Sequence, residues 1–475
     1  MNSRHIHLIG ICGTAMAALA GMLKQRGYQV TGSDAAAYPP MSEFLAQLGV
    51  PVRQPYGEHN LEPRPDLVIV GNAISRGNPE LEYVLDARIP FQSLPQLVRD
   101  EFLTGKEPMV VAGTHGKTTV TSMLSWIFHS AGRAPSFLVG GIVENFGSSF
   151  RLGEGAQFIL EGDEYDTAFF DKGPKFLHYF PDAVILTAVE FDHGDIYQNL
   201  DQVKTSFKRL VNLVPRRGRI IAWDGGENSR LQENLDDCLA RAFCRVERYG
   251  LSANSTWRAV DLNFESRRTT WRVLREGKHW ADLEIELAGE YNVLNATAAA
   301  AMAAAYDIAP GAIRDALGRF RSVKRRLEVR AEIDGITIID DFAHHPTAIA
   351  ETLKALRQRY PQRRLWAVLE PRSNTLARNI FQQEVAQSLV LADQVIVSDV
   401  FRAARYTDTE RLDVDAVVAA VAAQGRRARH LPDADAIVAA ISPELRSGDL
   451  VVILSNGAFG AIYEKLPAAL AGRNS

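Results

Sequence analysis

The sequence predicts three consecutive α/β domains, and three observations lead there. The chain has 475 residues, more than one hydrophobic core usually holds, and about 150 residues per domain gives roughly three. Short apolar runs alternate with helical patterns, as expected of a parallel, doubly wound sheet. That rhythm restarts twice, after the polar stretch Thr104–Pro108 and after the charge-dense stretch Phe320–Leu327. The expected division is a Rossmann-like domain over 1–106, a phosphate-loop domain with an antiparallel extension over 107–324, and a second Rossmann-like domain over 325–475.

In the first domain His5–Ile9 reads as a strand, Thr14–Arg26 as a helix, Gln29–Thr31 as the next strand and Asp66–Val70 as a buried strand. The second domain opens with the strand Met109–Ala112, a Gly-rich loop and a helix through Phe128. Strands follow at Gln157–Leu160 and Ala183–Thr187, then antiparallel alternation over 255–287 and an Ala-rich helix over Asn292–Tyr306. The third has strand patterns at Ile336–Asp340, Arg364–Leu369, Gln394–Ser398 and Leu450–Leu454.

Composition narrows the class. With 46% hydrophobic and 23% charged residues, the chain is neither disordered nor collagen-like. A net charge of −4 leaves no global basic footprint for nucleic acid. Three cysteines, unevenly spaced, make no disulfide framework or zinc site and fit a reducing cytoplasm. Glycines interrupt the apolar stretch Ile6–Leu23, which therefore reads as strand–turn–helix and not as a leader or membrane span.

Chemistry concentrates where strands end. Gly113-Thr114-His115-Gly116-Lys117-Thr118-Thr119 joins a strand to a helix, so backbone N–H groups and the helix dipole converge on a phosphate-sized point. Lys117 can reach the β/γ-phosphates, and the Thr118 hydroxyl suits Mg²⁺. Gly10 and Gly13 follow the first strand, Thr14 opens the helix, and Asp34 ends the second strand. That arrangement suits a diphosphate and a ribose, with a glycine tight turn as the alternative. Glu161-Gly162-Asp163-Glu164 offers hard oxygen ligands beside the phosphate loop, and Glu190-Phe191-Asp192-His193 adds acids and an imidazole at the next strand end. Asp340-Asp341-Phe342-Ala343-His344-His345-Pro346 caps the first strand of the last domain. Arg372 with Ser373 and Asn374, just past another strand, suits a bidentate grip on a carboxylate.

In this order, and with Asn292-Val293-Leu294-Asn295-Ala296 and Arg325-Arg326-Leu327-Glu328 between them, these motifs resemble the Mur ligase family of ATP-dependent amide-forming enzymes over nearly the whole chain. Segments 71–80, 166–172, 370–375 and 455–460 look like the tripeptide-adding branch, and the His-Arg-Tyr-Thr-Arg type segment typical of the alanine-adding branch is absent at 370–375. The resemblance implies joining L-alanyl-γ-D-glutamyl-meso-diaminopimelate to the lactyl carboxylate of UDP-N-acetylmuramate through an acyl phosphate, in murein recycling. Addition of L-alanine is the alternative within the family.

It also implies ATP and Mg²⁺ as cofactors, with Lys117, Glu161 and His193 catalytic and Thr118, Glu161 and His193 on metal. ATP would meet Gly113, Thr114, His115, Gly116, Thr118, Thr119, Asn295, Arg326 and Asp340. The UDP end would meet Gly10, Gly13, Thr14, Asp34 and Ser75, and the peptide would meet Arg372, Ser373 and Asn374. Both organic partners are small molecules, with no nucleic acid or membrane, for a cytoplasmic monomer or weak homo-oligomer. Tyr291 stands where near family members carry His. Many members use a carbamylated lysine downstream of the metal-binding His; here Lys208 and Phe207 compete for that place, and helix register decides between them.

Two other classes remain at this level. An NAD-dependent oxidoreductase could be built on the first domain, although the phosphate loop and the third α/β unit weigh against it. A non-catalytic nucleotide switch would leave Glu161 and His193 superfluous.

Overall fold

The structure, a computed structural model, describes residues 4–37 and 41–474, and most of its strands fall into three sheets. The first is five-stranded and parallel, in the order Val52–Arg53, Gln29–Ser33, His5–Ile9, Leu67–Val70, Phe91–Ser93. Its strand order reverses between His5–Ile9 and Leu67–Val70, the place where open α/β sheets form a ligand crevice. Gly10 and Gly71 end those two strands. The helix Thr14–Gln25 starts there with no acidic residue in its first turn, leaving its N–H groups and dipole for an anion.

The second sheet has ten strands. Its parallel middle places Glu107–Ala112 between Ala183–Leu186 and Gln157–Gly162. The phosphate loop therefore emerges between the two strands whose ends carry Glu190–His193 and Glu161–Glu164. The extension Trp257–Phe264, Thr269–Arg275 and Lys278–Ile285 is antiparallel as expected. The Ala-rich helix is Glu290–Ala304; small side chains let it pack tightly, with Ala296 and Ala298–Ala303 buried. Trp271 Nε1 donates to Thr297 Oγ1 at 3.1 Å across that packing.

The third sheet orders Glu328–Ile333, Ile336–Asp341, Leu450–Leu454, Leu365–Leu369, Gln394–Val397 and Arg427–His430, parallel except for the first pair. Pro346 lies in the first turn of the helix Pro346–Arg359, where a missing N–H costs nothing. The hairpin Asp166–Ala168 with Asp171–Pro174 was not anticipated, because its three- and four-residue strands are too short for periodicity to register. No helix among the described residues is long and apolar enough to cross a membrane.

Candidate active site

The phosphate loop is stapled at its base. Thr114 N donates to Ala188 O at 2.7 Å, Thr187 Oγ1 to His115 O at 2.6 Å, and Glu190 N to Thr114 Oγ1 at 2.9 Å. Gly113 sits at φ 130°, with a Cβ there falling 2.8 Å from Ala188 O, so only glycine fits. Gly116 precedes the helix Lys117–Ser130 in the left-handed region, and the helix has no side-chain cap or first-turn acid. Asn295, on the Ala-rich helix, lies against Gly116 and is buried. Thr119 is buried in the helix's first turn.

Two groups of possible metal donors flank the loop. Thr118 Oγ1 donates to Glu161 Oε1 at 2.9 Å, while Gly140 N holds Glu161 Oε2 at 2.7 Å. The strand Gln157–Gly162 runs two residues further than its apolar run, which fixes Glu161 rigidly at its edge. His193 joins Asp163 and Glu164 instead, with donor atoms all within 4.8 Å of one another. Its Nε2 lies 3.3 Å from Glu164 Oε1. Oxygen-rich donors of this kind fit Mg²⁺. His193 is also a strained residue, at φ 54°. Burial disfavours its charge, but Glu164 and Asp192 outweigh that and hold its pKa up at about 9. Lys117 is likewise raised against burial by Glu164 and Asp163.

Behind the loop, His115 Nε2 lies 3.5 Å from Glu190 Oε1, and its ring sits 4.7 Å from that of His345. Burial and His115 push His345 down to about 4. Lys208 is turned outward and pairs with Asp237 at 2.7 Å, whereas Phe207 is fully buried. The helix register thus presents no lysine to the metal donors from this turn.

At the UDP end, Asp34 Oδ2 accepts from Cys12 N at 2.8 Å, tying the second strand to the glycine loop. Gly13 is the N-cap of the helix that Thr14 opens. Ile74 packs over Gly10, and the neighbouring Ser75 is exposed. Glu80 lies beneath, 0% exposed, and accepts from Ser33, Asn60 and Gly57 N, the last at 3.2 Å. Nothing in the local sequence distinguishes Glu80 from an ordinary first-turn acid.

The third domain closes against this face. Thr347 Oγ1 donates to Glu190 Oε2 at 2.9 Å, Thr375 Oγ1 to Asp192 Oδ1 at 2.7 Å, and Asn374 Nδ2 to Asp195 Oδ2 at 2.9 Å. Between the domains lies a cavity of about 300 Å³, lined by Asp192, His193, His344, Arg372, Ser373 and Asn374 among others. The Arg372 guanidinium stacks 3.7 Å over Phe401. Ser373 Oγ donates to His344 O at 3.3 Å. Arg326 lies 5.0 Å over the Phe342 ring.

Asp340 is not among these groups. Its carboxylate is 2% exposed and paired with Arg325 at 3.1 Å, because strand alternation sends it to the opposite side from Asp341. Tyr291 packs beside Gly289 at the start of the Ala-rich helix. Sequence reasoning passed over Glu164, Asp192, His344 and Thr375 as site residues, although each lies inside a motif it singled out. Only the pairing of the domains reveals that they converge.

Family models match three consecutive segments: "Mur ligase family, catalytic domain" over 5–102, "Mur ligase middle domain" over 111–303, and "Mur ligase, glutamate ligase domain" over 325–457. The chain is 42% identical to the UDP-N-acetylmuramate–L-alanyl-γ-D-glutamyl-meso-2,6-diaminoheptandioate ligase of Escherichia coli (strain K12), over 98% of both chains. It is 31% identical to the UDP-N-acetylmuramate–L-alanine ligase of Desulfotalea psychrophila, over 96% of each. Among solved structures, a murein peptide ligase from Psychrobacter arcticus 273-4 superposes with a TM-score of 0.74 at 37% identity, covering 98% of this chain and 99% of the other. Matched in three consecutive segments and 42% identical to a relative over 98% of both chains, the chain belongs to the Mur ligase family.

Proposed function

We propose that the protein is an ATP-dependent amide ligase that joins L-alanyl-γ-D-glutamyl-meso-diaminopimelate to the lactyl carboxylate of UDP-N-acetylmuramate, through an acyl phosphate, in murein recycling. The observation that carries this reading is an arginine-lined cavity at the domain seam whose His193 faces Glu164, the carboxylate partner of the phosphate-loop Lys117. At about 300 Å³ the cavity reaches the size class of drug-sized ligand sites, far more room than free alanine fills. The tripeptide is therefore favoured over alanine, and the 42% against 31% identities support the same choice.

Residues 1–106 take the UDP-sugar, with Gly10, Gly13, Thr14, Asp34 and Ser75 around it; 107–324 take ATP, and 325–475 the peptide. Thr118 with Glu161, and His193 with Asp163 and Glu164, would hold Mg²⁺. Bound there, the ions would neutralise charge on the transferring phosphoryl group. The loop amides of Gly113–Thr119 and Lys117 grip the phosphates, while Asn295 and Arg326 approach the nucleotide from the Ala-rich helix and the third domain. Arg372 holds a peptide carboxylate, supported by Ser373 and Asn374. The closed seam excludes water from the acyl phosphate, and positioning supplies most of the acceleration. Three free cysteines suit the reducing cytoplasm, where this reaction is placed.

Product mass after incubation with ATP, Mg²⁺, UDP-N-acetylmuramate and alanine, dipeptide or tripeptide acceptors tests the reading. Phosphate release is expected only with UDP-N-acetylmuramate and the tripeptide together. Comparable turnover with alanine would reassign the protein to alanine addition, and full hydrolysis without an acceptor would overturn the ligase reading.

A further inference from the structure

The cavity contains one imidazole with a fixed tautomer and no role assigned so far. His344 Nδ1 lies 2.8 Å from the Phe342 carbonyl oxygen. A carbonyl can only accept, so Nδ1 carries the proton and Nε2 keeps its lone pair. Among the described residues no group hydrogen-bonds Nε2. The residue is held from both sides: Ser373 Oγ donates to its carbonyl, and the next residue, His345, caps the helix Pro346–Arg359.

The cavity's other basic groups are already engaged. Asp192 accepts from Thr375 Oγ1 and His193 N, and Asp195 accepts from Tyr165 and Asn374. His193 faces Glu164 within the group of metal donors. Arg372, Arg402 and Arg405 are cations and cannot accept a proton. His344 is the lone pair left for proton transfer.

We propose that His344 Nε2 is the general base of the second half-reaction, taking the proton that the tripeptide's α-amine sheds as it attacks the acyl phosphate. The inference rests on the ligase reading above. An α-amine with a pKa of about 8 must first lose one proton to solvent. Its nitrogen lone pair then forms the C–N bond while the carbonyl π pair moves onto oxygen. The cationic nitrogen passes its extra proton to Nε2. The oxygen pair restores C=O as the C–O bond to phosphate breaks, and the imidazolium returns the proton to the departing phosphate. Atoms and charge balance with no further reactant.

Around the ring, burial with Arg326 and His193 lowers the His344 pKa, while Asp192 and the Phe342 carbonyl raise it, leaving it below its ordinary value. The ring is therefore neutral at neutral pH and able to accept.

The test separates the two half-reactions. Wild type and His344→Gln are given ATP, Mg²⁺ and UDP-N-acetylmuramate, with either the tripeptide or hydroxylamine. Hydroxylamine is largely unprotonated at neutral pH, so it traps the acyl phosphate as a hydroxamate without a base. His344→Gln is expected to lose tripeptide ligation by about 10²–10⁴-fold while hydroxamate formation stays within about threefold of wild type. The kcat/KM profile for the tripeptide should also become shallower on its acid side, keeping only the slope set by the substrate's own α-amine. Joint loss of both products in His344→Gln and in His344→Asn would overturn the proposal, as would undiminished ligation. Absence of hydroxamate from wild type would instead overturn the ligase reading.

Discussion

Lys117 Nζ lies 2.8 Å from Glu164 Oε2, so the lysine aimed at the phosphate site already has a carboxylate partner. The pair is well buried, with side chains 13% and 3% exposed. Removing one partner of such a pair strands the other and costs about 3–5 kcal/mol. Lys117→Ala is expected to abolish phosphate release and also lower stability. Lys117→Ala combined with Glu164→Gln should regain much of the stability and none of the activity. Thermal unfolding and phosphate assays on wild type and the two variants check this; activity surviving in Lys117→Ala would remove the lysine from the chemistry.

The seam between the second and third domains depends on short polar contacts. Thr375→Val keeps the shape but removes the hydroxyl that Asp192 and Gly194 N both use. Taking one of its two donors from the Asp192 carboxylate oxygen and leaving the Gly194 amide unpaired costs roughly 1–3 kcal/mol. The expected results are a larger radius of gyration in ligand-free small-angle scattering and a rise in KM for the tripeptide that exceeds any fall in kcat. An unchanged scattering curve and KM would show that the seam closes without this contact.

Glu190 gives a pH signature. Burial opposes its charge, yet His115, His345 and Thr347 hold its pKa down at about 2. A carboxylate whose folded pKa lies below its unfolded value stabilises the fold above the unfolded pKa, and that stabilisation is lost as pH falls through the folded one. From the ordinary 4.5 down to about 2, wild type should lose stability more steeply than Glu190→Gln. Chemical denaturation across that window measures the difference curve. Parallel curves would mean that Glu190 has no net ionic stabilisation in the fold.

These contacts mark how far sequence reasoning reached. Loop, strand and helix around Lys117 were legible because one short segment carries the glycines, the lysine and the hydroxyl, and the chemistry requires them adjacent. The Thr118–Glu161 pair came from the family resemblance, and the two neighbouring strand ends bring it together. Asp340 was expected beside ATP and instead pairs with Arg325, since two adjacent aspartates at a strand end differ only in the face they take. The seam contacts of Thr375, Thr347 and Asn374 were hidden for a different reason. Their partners lie 183, 157 and 179 residues away in the chain, and no local pattern encodes a contact made by domain closure.

Gly116 offers a test of nucleotide binding that leaves the sugar site alone. Its φ of 81° costs an L-residue about 1–2 kcal/mol, and a Cβ built there lies 2.6 Å from Asn295 Oδ1. Gly116→Ala should therefore weaken ATP binding, while UDP-N-acetylmuramate, held on a separate sheet, binds as before. Two causes are separable, because Asn295→Ala removes the collision and not the backbone strain. If the collision dominates, adding Gly116→Ala to Asn295→Ala costs no further ATP affinity; if strain dominates, it costs as much as it does with Asn295 in place. Calorimetric titration of each variant with ATP and with the UDP-sugar distinguishes them. Equal loss of both ligands would mean that the loop and the first sheet do not bind independently, contrary to the separate strand orders that build them.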